Sequence, residues 1–218
     1  MPATLVHLVR HGEVFNPGRV LYGRIPGFGL SELGTRMAQS AADAFAARPI
    51  ARLYASPLQR AQESAAPWSR DFDLPIHTDE RLIEPWNSFE GKQFEFGPSV
   101  LLHPSAWPLV RNPFKPSWGE PYEQIATRML AAIDEAFQAT DGGEVALVSH
   151  QLPIWTVHRK LAGQTLFHDP RKRRCNLSSV TTLALRQPAS AGLPKFVEVS
   201  YQDPAAALQS SAIDRGAV

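Results

Sequence analysis

Cysteine is nearly absent from this sequence of 218 residues, since it occurs once, at Cys175. A single thiol excludes an intrachain disulfide and a zinc site built from several cysteines. Long hydrophobic runs are missing too, because no segment approaches the ~20 consecutive apolar residues of a membrane-spanning helix. The first residues, MPATLVHLVRHG, contain no basic segment followed by a long apolar one. We therefore expect a cytoplasmic protein that does not associate with membranes.

A strong excess of either charge is also lacking. The chain has 22 Lys and Arg against 21 Asp and Glu, so nothing global attracts nucleic acid or acidic lipid. The basic run RKRR at 171–174 is short, and we expect solvated side chains there and no nucleic-acid partner. No histidine or carboxylate cluster has the spacing of metal ligands, so the sequence predicts neither a metal nor another cofactor.

Strand-like and helix-like segments alternate along the chain. Apolar, β-rich runs are predicted to form strands at 4–9, 51–55, 74–77, 144–149, 176–185 and 195–201. Helices are predicted after an N-cap at Ser31, after an N-cap at Ser56 with Pro57 at the first helical position, at 121–139 and from Pro153 to about Leu161. This alternation predicts an α/β fold, a three-layer α/β/α sandwich around a mostly parallel sheet.

The predicted elements form one domain with two irregular segments. We assign residues 1–201 to this domain. Residues 92–120 contain several prolines and tryptophans, and we interpret them as an inserted, cap-like excursion over the domain. Residues 202–218 are rich in Ala and Ser and are predicted to be a flexible C-terminal tail. The sequence leaves the oligomeric state open, a homodimer included.

Three of the predicted strands lead into cationic or imidazole side chains. Arg10 and His11 follow the first strand, Arg60 lies in the helical turn after the second, and His150 follows the strand at 144–149. The carboxyl ends of parallel strands form the ligand crevice of such sheets, so these side chains should converge. Clustered arginines need an anion among them, and the planar fork of arginine suits phosphate. Helix N-termini at two of these strand ends favour the same ligand.

The same residues belong to an ordered set of motifs, which are RHGE at 10–13, SPLQRAQES at 56–64, Glu84, and ALVSHQ at 146–151. From residue 4 to about 160 the chain resembles the histidine phosphatase, or phosphoglycerate-mutase-like, superfamily. The resemblance implies that His11 is the nucleophile that accepts a phosphoryl group. It implies that Arg10, Arg60 and His150 hold the phosphoryl oxygens. A neutral imidazole nitrogen can attack phosphorus provided the other ring nitrogen keeps its proton.

The resemblance assigns the proton donor to Glu84, with Glu80 and Glu90 as nearby alternatives. We expect burial or the bound phosphate to raise the pKa of this carboxyl, so that it is partly protonated near neutral pH. Two positions depart from the family pattern. Asn16, a predicted phosphate contact, lies one position closer to the RHG motif than in many relatives, and Gln151 stands where many relatives have glycine.

These core residues do not separate hydrolysis from phosphoryl transfer back to a substrate. Cofactor-dependent phosphoglycerate mutases resemble one another in a tyrosine and a paired-arginine, proline-rich segment after the acidic residue. Here residues 92–118 contain only the separated basic residues Lys92, His103, Arg111 and Lys115. This favours a phosphatase acting on a small phosphomonoester, with a mutase and a catalytically silent phosphate sensor as alternatives. Arg24 and the basic residues of 92–115 are candidates for binding a second anionic group.

Overall fold

A six-stranded mixed sheet lies between two layers of helices. The computed structural model describes residues 1–88, 90–91, 119–187 and 192–214. The strands are β1 (Leu5–Arg10), β2 (Ile50–Ala55), β3 (Ile76–Thr78), β4 (Glu144–Ser149), β5 (Val180–Leu185) and β6 (Phe196–Gln202). The helices in the described residues are α1 (Glu32–Ala44), α2 (Gln59–Phe72), α3 (Tyr122–Ala139), α4 (Gln151–Leu161) and α5 (Ala206–Gln209).

The strand order is β3-β2-β4-β1-β5-β6. The first four strands in this order are parallel to one another, whereas β5 and β6 pair antiparallel. In register, Arg10 at the end of β1 lies opposite Ser149 of β4, and Ala55 of β2 lies opposite Val148. The carboxyl ends of three adjacent parallel strands therefore meet at one edge. The predicted mostly parallel sheet is confirmed, and with it the convergence of the three motif-bearing segments.

Each face of the sheet packs against one pair of helices. Val6 and Leu8 of β1 face α3 and α4, while Val9 faces α1 and α2. This alternation is the two-residue period of a strand buried on both sides. Trp68 of α2 and Met129 of α3 are fully buried on opposite faces. The predicted three-layer α/β/α sandwich is confirmed, and the two apolar layers hold the central strands in place.

The helix starts follow local sequence signals with one instructive exception. Ser31 caps α1 as predicted, because its Oγ accepts a hydrogen bond from a first-turn N–H at 2.9 Å. The predicted cap of α2 at Ser56 is wrong. This helix begins at Gln59, after Leu58, and no side chain caps it. Ser56 is used instead in a contact with His150, described below.

The segment after β6 differs from the frayed tail that composition predicts. Residues 203–214 run across the domain and include α5. Ala205 is buried in a small apolar cluster with Met37 of α1 and Leu177. The small Ala side chains, which carry little signal in the sequence, allow this close packing. Residues 215–218 lie outside the described part of the chain.

The inserted excursion predicted at 92–120 falls almost entirely outside the described residues. Only Gly119 and Glu120 of it are described, and Gly119 forms an isolated antiparallel bridge with Asn87. The predictions made for Lys92, His103, Arg111 and Lys115 therefore stay predictions. Within the described ranges, no helix combines the length and the apolar character needed to cross a membrane.

Candidate active site

Five of the predicted site residues lie buried at the carboxyl edge of the sheet. Arg10, His11, Arg60, Glu84 and His150 each expose at most 1% of their surface. The rings of the two histidines are 5.2 Å apart between centroids. His150 Nδ1 lies 3.5 Å from a carboxylate oxygen of Glu84, longer than a normal hydrogen bond. The structure thus places two imidazoles, two guanidiniums and one carboxyl at the end of β1 and β4.

His11 is oriented by a local hydrogen bond. Its Nδ1 lies 2.7 Å from the carbonyl oxygen of Gly12, which can only accept, so Nδ1 carries the proton and Nε2 keeps its lone pair. Nε2 is buried and has no hydrogen-bond partner among the described residues. Burial, together with the charges of Arg60 and Arg10, lowers the pKa of His11 well below its ordinary value. The side chain is therefore a neutral imidazole with an available nucleophilic nitrogen.

Gly12 allows the His11 loop to approach α1 closely. A Cβ at this position would overlap the carbonyl oxygen of Gly34, in the first turn of α1. The backbone N–H of Gly12 donates to Ser64 Oγ of α2 at 3.1 Å. The glycine of the RHG motif is thus required by packing between β1 and α1, and this packing fixes the backbone that carries His11.

Arg60 is held by the segment Tyr22-Gly23. Its guanidinium lies over the ring of Tyr22, 4.7 Å from the centroid, and Nη2 donates to the carbonyl oxygen of Gly23 at 2.8 Å. Tyr22 is fully buried, and burial raises the pKa of its hydroxyl to about 12, so it remains neutral. The uncharged ring positions the cation without neutralising it. Arg60 therefore keeps its positive charge for an anion in the site.

His150 is oriented by Ser56 of the neighbouring strand end. Its Nε2 lies 2.7 Å from Ser56 Oγ, and the ring is completely buried. Burial and the nearby Arg60 lower the pKa of His150 well below its ordinary value, so the imidazole is neutral. His150 is also the N-cap of α4, which begins at Gln151 rather than at the predicted Pro153.

Glu84 has the environment of a carboxyl that exchanges protons near neutral pH. Burial raises its pKa from 4.5 to about 7, although the arginines around it, Arg60 foremost, oppose this rise. Of the alternatives, Glu80 is exposed. Glu90 instead accepts backbone N–H bonds from Arg24 at 3.0 Å and Asn87 at 3.2 Å. Among the three carboxyls, Glu84 is the one placed beside His150.

The backbone around Glu84 is fixed by three separate contacts. Ser149 Oγ donates to the carbonyl of Leu82 at 2.7 Å, and Arg24 Nε donates to the carbonyl of Glu84 at 2.6 Å. Arg128 of α3 bonds the carbonyl of Arg81. Arg24, predicted to bind substrate, thus supports the Glu84 backbone in this structure.

Asn16, the other predicted substrate-binding residue, stabilises its own loop. Its Nδ2 donates to the carbonyl of Val20 at 2.8 Å, and its Oδ1 accepts from the Val20 N–H at 3.1 Å. Both ends of the amide are therefore used in the turn 16–20. A contact of Asn16 with substrate stays a prediction.

Several buried polar atoms at this edge have no hydrogen-bond partner among the described residues. They are Arg10 Nε, His11 Nε2, Arg60 Nε, His150 Nδ1 and both carboxyl oxygens of Glu84. Unsatisfied buried polar groups are rare and indicate a functional constraint or a ligand. The N-termini of α2 and α4, neither capped by a side chain, lie at the same edge. Two arginines and two helix N-termini suit an anion that carries several oxygens.

The same donor set does not suit a metal ion, because two guanidiniums stand where a cation would bind. Across the described ranges, no three His, Cys, Asp or Glu side chains are grouped closely enough to ligate one.

Arg173 lies near the site although the sequence does not single it out, because it belongs to the basic run 171–174, where solvated side chains are predicted. Its Nε donates to His168 Nε2 at 2.9 Å, and its Nη1 donates to Gln151 Oε1 at 3.2 Å. Its positive charge lowers the pKa of Glu84, which places Arg173 within electrostatic reach of this carboxyl. Arg171, by contrast, is exposed and pairs with Asp169 at 2.8 Å. The basic run itself gives no signal that separates these two arginines.

The family resemblance is confirmed by comparison with known proteins. The model of the histidine phosphatase superfamily (branch 1) matches residues 6–190. Rv0525, an uncharacterised protein of Mycobacterium tuberculosis (strain H37Rv), is 51% identical over 203 residues, which cover 93% of this chain and 98% of that protein. A probable phosphoglycerate mutase of Yersinia pestis, GpmB, is 28% identical over 187 residues, 80% of this chain and 83% of its own.

A solved structure extends the agreement to the fold. YhfR of Bacillus stearothermophilus is 26% identical and covers 90% of this chain and 95% of its own, with a TM-score of 0.73. The family match spans the RHG motif, Arg60, Glu84 and His150. The chain therefore belongs to the histidine phosphatase superfamily.

Proposed function

We propose that this protein is a metal-independent phosphatase, which hydrolyses a small phosphomonoester through a phosphohistidine intermediate on His11. The observation that carries the proposal is the state of His11, a buried neutral imidazole whose Nδ1 is tied to a carbonyl and whose Nε2 is available. A histidine kept only for packing has no need of a free nitrogen beside two arginines and a carboxyl of raised pKa.

In the first step, His11 Nε2 attacks phosphorus as the bond to the ester oxygen breaks. Arg10, Arg60 and His150 donate to the phosphoryl oxygens, whose negative charge is spread over three atoms in the transition state. Glu84 in its protonated form gives its proton to the leaving oxygen, so an alcohol departs. With a pKa of about 7, a large fraction of this carboxyl is protonated at neutral pH.

In the second step, water attacks the phosphorus of the phosphohistidine. Glu84, now a carboxylate, accepts a proton from this water while the nitrogen–phosphorus bond breaks. Inorganic phosphate leaves, and both His11 and Glu84 return to their starting protonation states. One carboxyl therefore acts first as general acid, when the alcohol leaves, and then as general base, when water attacks.

Phosphoglycerate mutase activity is the second candidate, because GpmB of Yersinia pestis is a relative over 80% of this chain. A mutase shares the first step and returns the phosphoryl group to a substrate instead of water. The absence of a paired-arginine segment at 92–118 in the sequence supports the phosphatase. We therefore rank hydrolysis first.

The test is steady-state phosphate release from a panel of phosphomonoesters, sugar phosphates and phosphoglycerates, with a metal chelator present throughout. His11→Ala is the test variant, and His77→Ala, which alters a histidine of the edge strand β3, is the matched control. The proposal predicts release by the wild type and the control and none by His11→Ala. No release, together with isomerisation of a phosphoglycerate after a bisphosphate primer is added, would favour the mutase. Absence of both phosphate release and isomerisation would favour a phosphate sensor.

A further inference from the structure

The guanidinium of Arg10 is held by two groups that leave two of its five N–H groups without a partner among the described residues. Nη1 donates to the carbonyl oxygen of Cys175 at 2.6 Å and to Asp214 Oδ2 at 2.8 Å, and Nη2 donates to Asp214 Oδ1. A guanidinium has five N–H groups, so these contacts use three of them. The two that remain are on Nε and on Nη2, and they are parallel because the group is planar.

We propose that Asp214 is a positioning residue, which turns the guanidinium of Arg10 so that its Nε and Nη2 edge faces the phosphoryl group. The Nε atom is buried and has no partner among the described residues, as expected for a donor kept for substrate oxygens. A paired donation from this edge to two phosphoryl oxygens matches the fork geometry of arginine. The inference rests on the proposed function, since it assigns Arg10 to the phosphoryl group.

The tail reaches the RHGE motif through two consecutive residues. The backbone N–H of Ile213 donates to Glu13 Oε1 at 2.6 Å, while the next residue, Asp214, pairs with Arg10. The other carboxylate oxygen of Glu13 accepts from Ser31, the N-cap of α1. The end of the described tail is therefore attached to both charged residues of the motif and, through Glu13, to α1.

The tail is also fixed before it reaches the site. Gln209 Nε2 donates to the carbonyl of Leu177 at 2.9 Å, and Ala205 is buried against Met37. These contacts fix the path of the tail before Asp214, so that its carboxylate approaches Arg10 from a defined direction. A carboxylate placed this way costs little in desolvation, because the Asp214 side chain remains 40% exposed while Arg10 is fully buried.

The charge of Asp214 also helps to keep Arg10 in the site. Burial disfavours the charged form of Arg10, yet the Asp214 carboxylate raises the pKa of this guanidinium above its ordinary value. Without the carboxylate, two buried guanidiniums, Arg10 and Arg60, would face each other with less compensation. We therefore expect loss of the Asp214 charge to disturb both the direction and the position of Arg10.

The experiment compares Asp214→Asn with Asp214→Glu and with Asp141→Asn. Asp141 pairs with the N-terminal ammonium at 2.7 Å and is exposed, so its variant removes the same charge away from the site. For Asp214→Asn we expect kcat/KM to fall about 10- to 100-fold, the range that misplacement of a binding group produces, and orthovanadate inhibition to weaken in parallel. Asp214→Glu should recover part of the loss. Asp141→Asn should match the wild type.

The opposite result has an equally definite meaning. If Asp214 instead occupies the phosphate site and competes with substrate, Asp214→Asn will have an unchanged or higher kcat/KM and will bind orthovanadate more tightly. Either finding would overturn the positioning role. Thermal unfolding of each variant shows whether the fold is intact, and restoration of activity by Asp214→Glu separates positioning from a general effect on stability.

A binding measurement makes the inference independent of turnover. Isothermal titration of the wild type and Asp214→Asn with inorganic phosphate requires no substrate and no catalysis. Weaker phosphate binding by the variant supports the role of Asp214, whether or not the wild type hydrolyses any compound of the panel. Absence of hydrolysis by the wild type would contradict only the proposed phosphatase activity. Equal or tighter binding by the variant overturns the inference and leaves hydrolysis unaffected.

Discussion

Replacing Glu84 with glutamine should change the pH dependence of folding stability in a defined direction. Burial raises the pKa of Glu84 from 4.5 to about 7 in the folded protein, so the folded state holds this proton more tightly than the unfolded chain does. The resulting stabilisation is fully present below pH 4.5 and is lost as the pH rises through 7. Since each pKa unit corresponds to roughly 1.4 kcal/mol, the loss amounts to about 3 kcal/mol.

Glu84→Gln removes this titration while keeping the size of the side chain. The measurement is the free energy of unfolding of both proteins in urea at intervals from pH 4.5 to pH 8. We expect the free energy of unfolding of the variant, relative to that of the wild type, to rise by about 3 kcal/mol from the lowest to the highest pH. The change of this difference with pH is the quantity compared, because any effect of the amide on stability that does not depend on pH then cancels.

The control for this experiment is Glu80→Gln, which alters an exposed carboxyl in the neighbouring 3₁₀ turn. The difference between Glu84→Gln and the wild type should change with pH by more than the difference between Glu80→Gln and the wild type, because Glu84 is buried in the site and Glu80 is exposed. Parallel profiles for Glu84→Gln and the wild type would refute the reasoning, because they would mean that Glu84 binds its proton equally in the folded and unfolded chain. The same variant should lose about 10²- to 10⁴-fold in kcat/KM for alkyl phosphates, whose leaving group needs a proton.

Three further substitutions, one of them a control, test the surroundings of the site. Arg173→Met removes a positive charge that lowers the pKa of Glu84. The pH at which kcat/KM declines on the alkaline side should therefore move upward. The control, Arg171→Met, should leave the pH profile of hydrolysis unchanged, because Arg171 is exposed and pairs with Asp169. Ser56→Ala removes the 2.7 Å contact that orients His150, and we expect kcat to fall about tenfold with little change in thermal stability; an unchanged kcat would show that His150 is oriented without it.

The part of the site that could be predicted from the sequence lies on regular elements. Arg10 ends β1, while His11 and His150 directly follow β1 and β4, and parallel strands bring their carboxyl ends to one edge whatever the details of packing. The apolar, β-rich run of β1 and the N-cap at Ser31 are local signals of the same kind. These features depend on neighbouring residues in the chain, which is why the sequence reveals them.

The residues that the sequence did not reveal depend on contacts between distant segments. Asp214 reaches Arg10 across 204 positions, and Arg173 is distinguished from its basic neighbours only by which way the loop turns it. Ser56 looked like a helix cap because Ser-Pro is a common start of a helix, but its hydroxyl binds His150 from the adjacent strand instead. Local propensity and composition carry no information about such pairings.

The most direct test of the account is to identify the residue that carries the phosphoryl group during turnover. The protein is mixed with a radiolabelled phosphomonoester that it hydrolyses, quenched within milliseconds in alkali, digested and mapped. The account predicts an alkali-stable, acid-labile label on the peptide that contains His11, formed as fast as the alcohol product is released and absent from His11→Ala. Full phosphate release with no labelled His11 peptide, or with activity retained by His11→Ala, would contradict it.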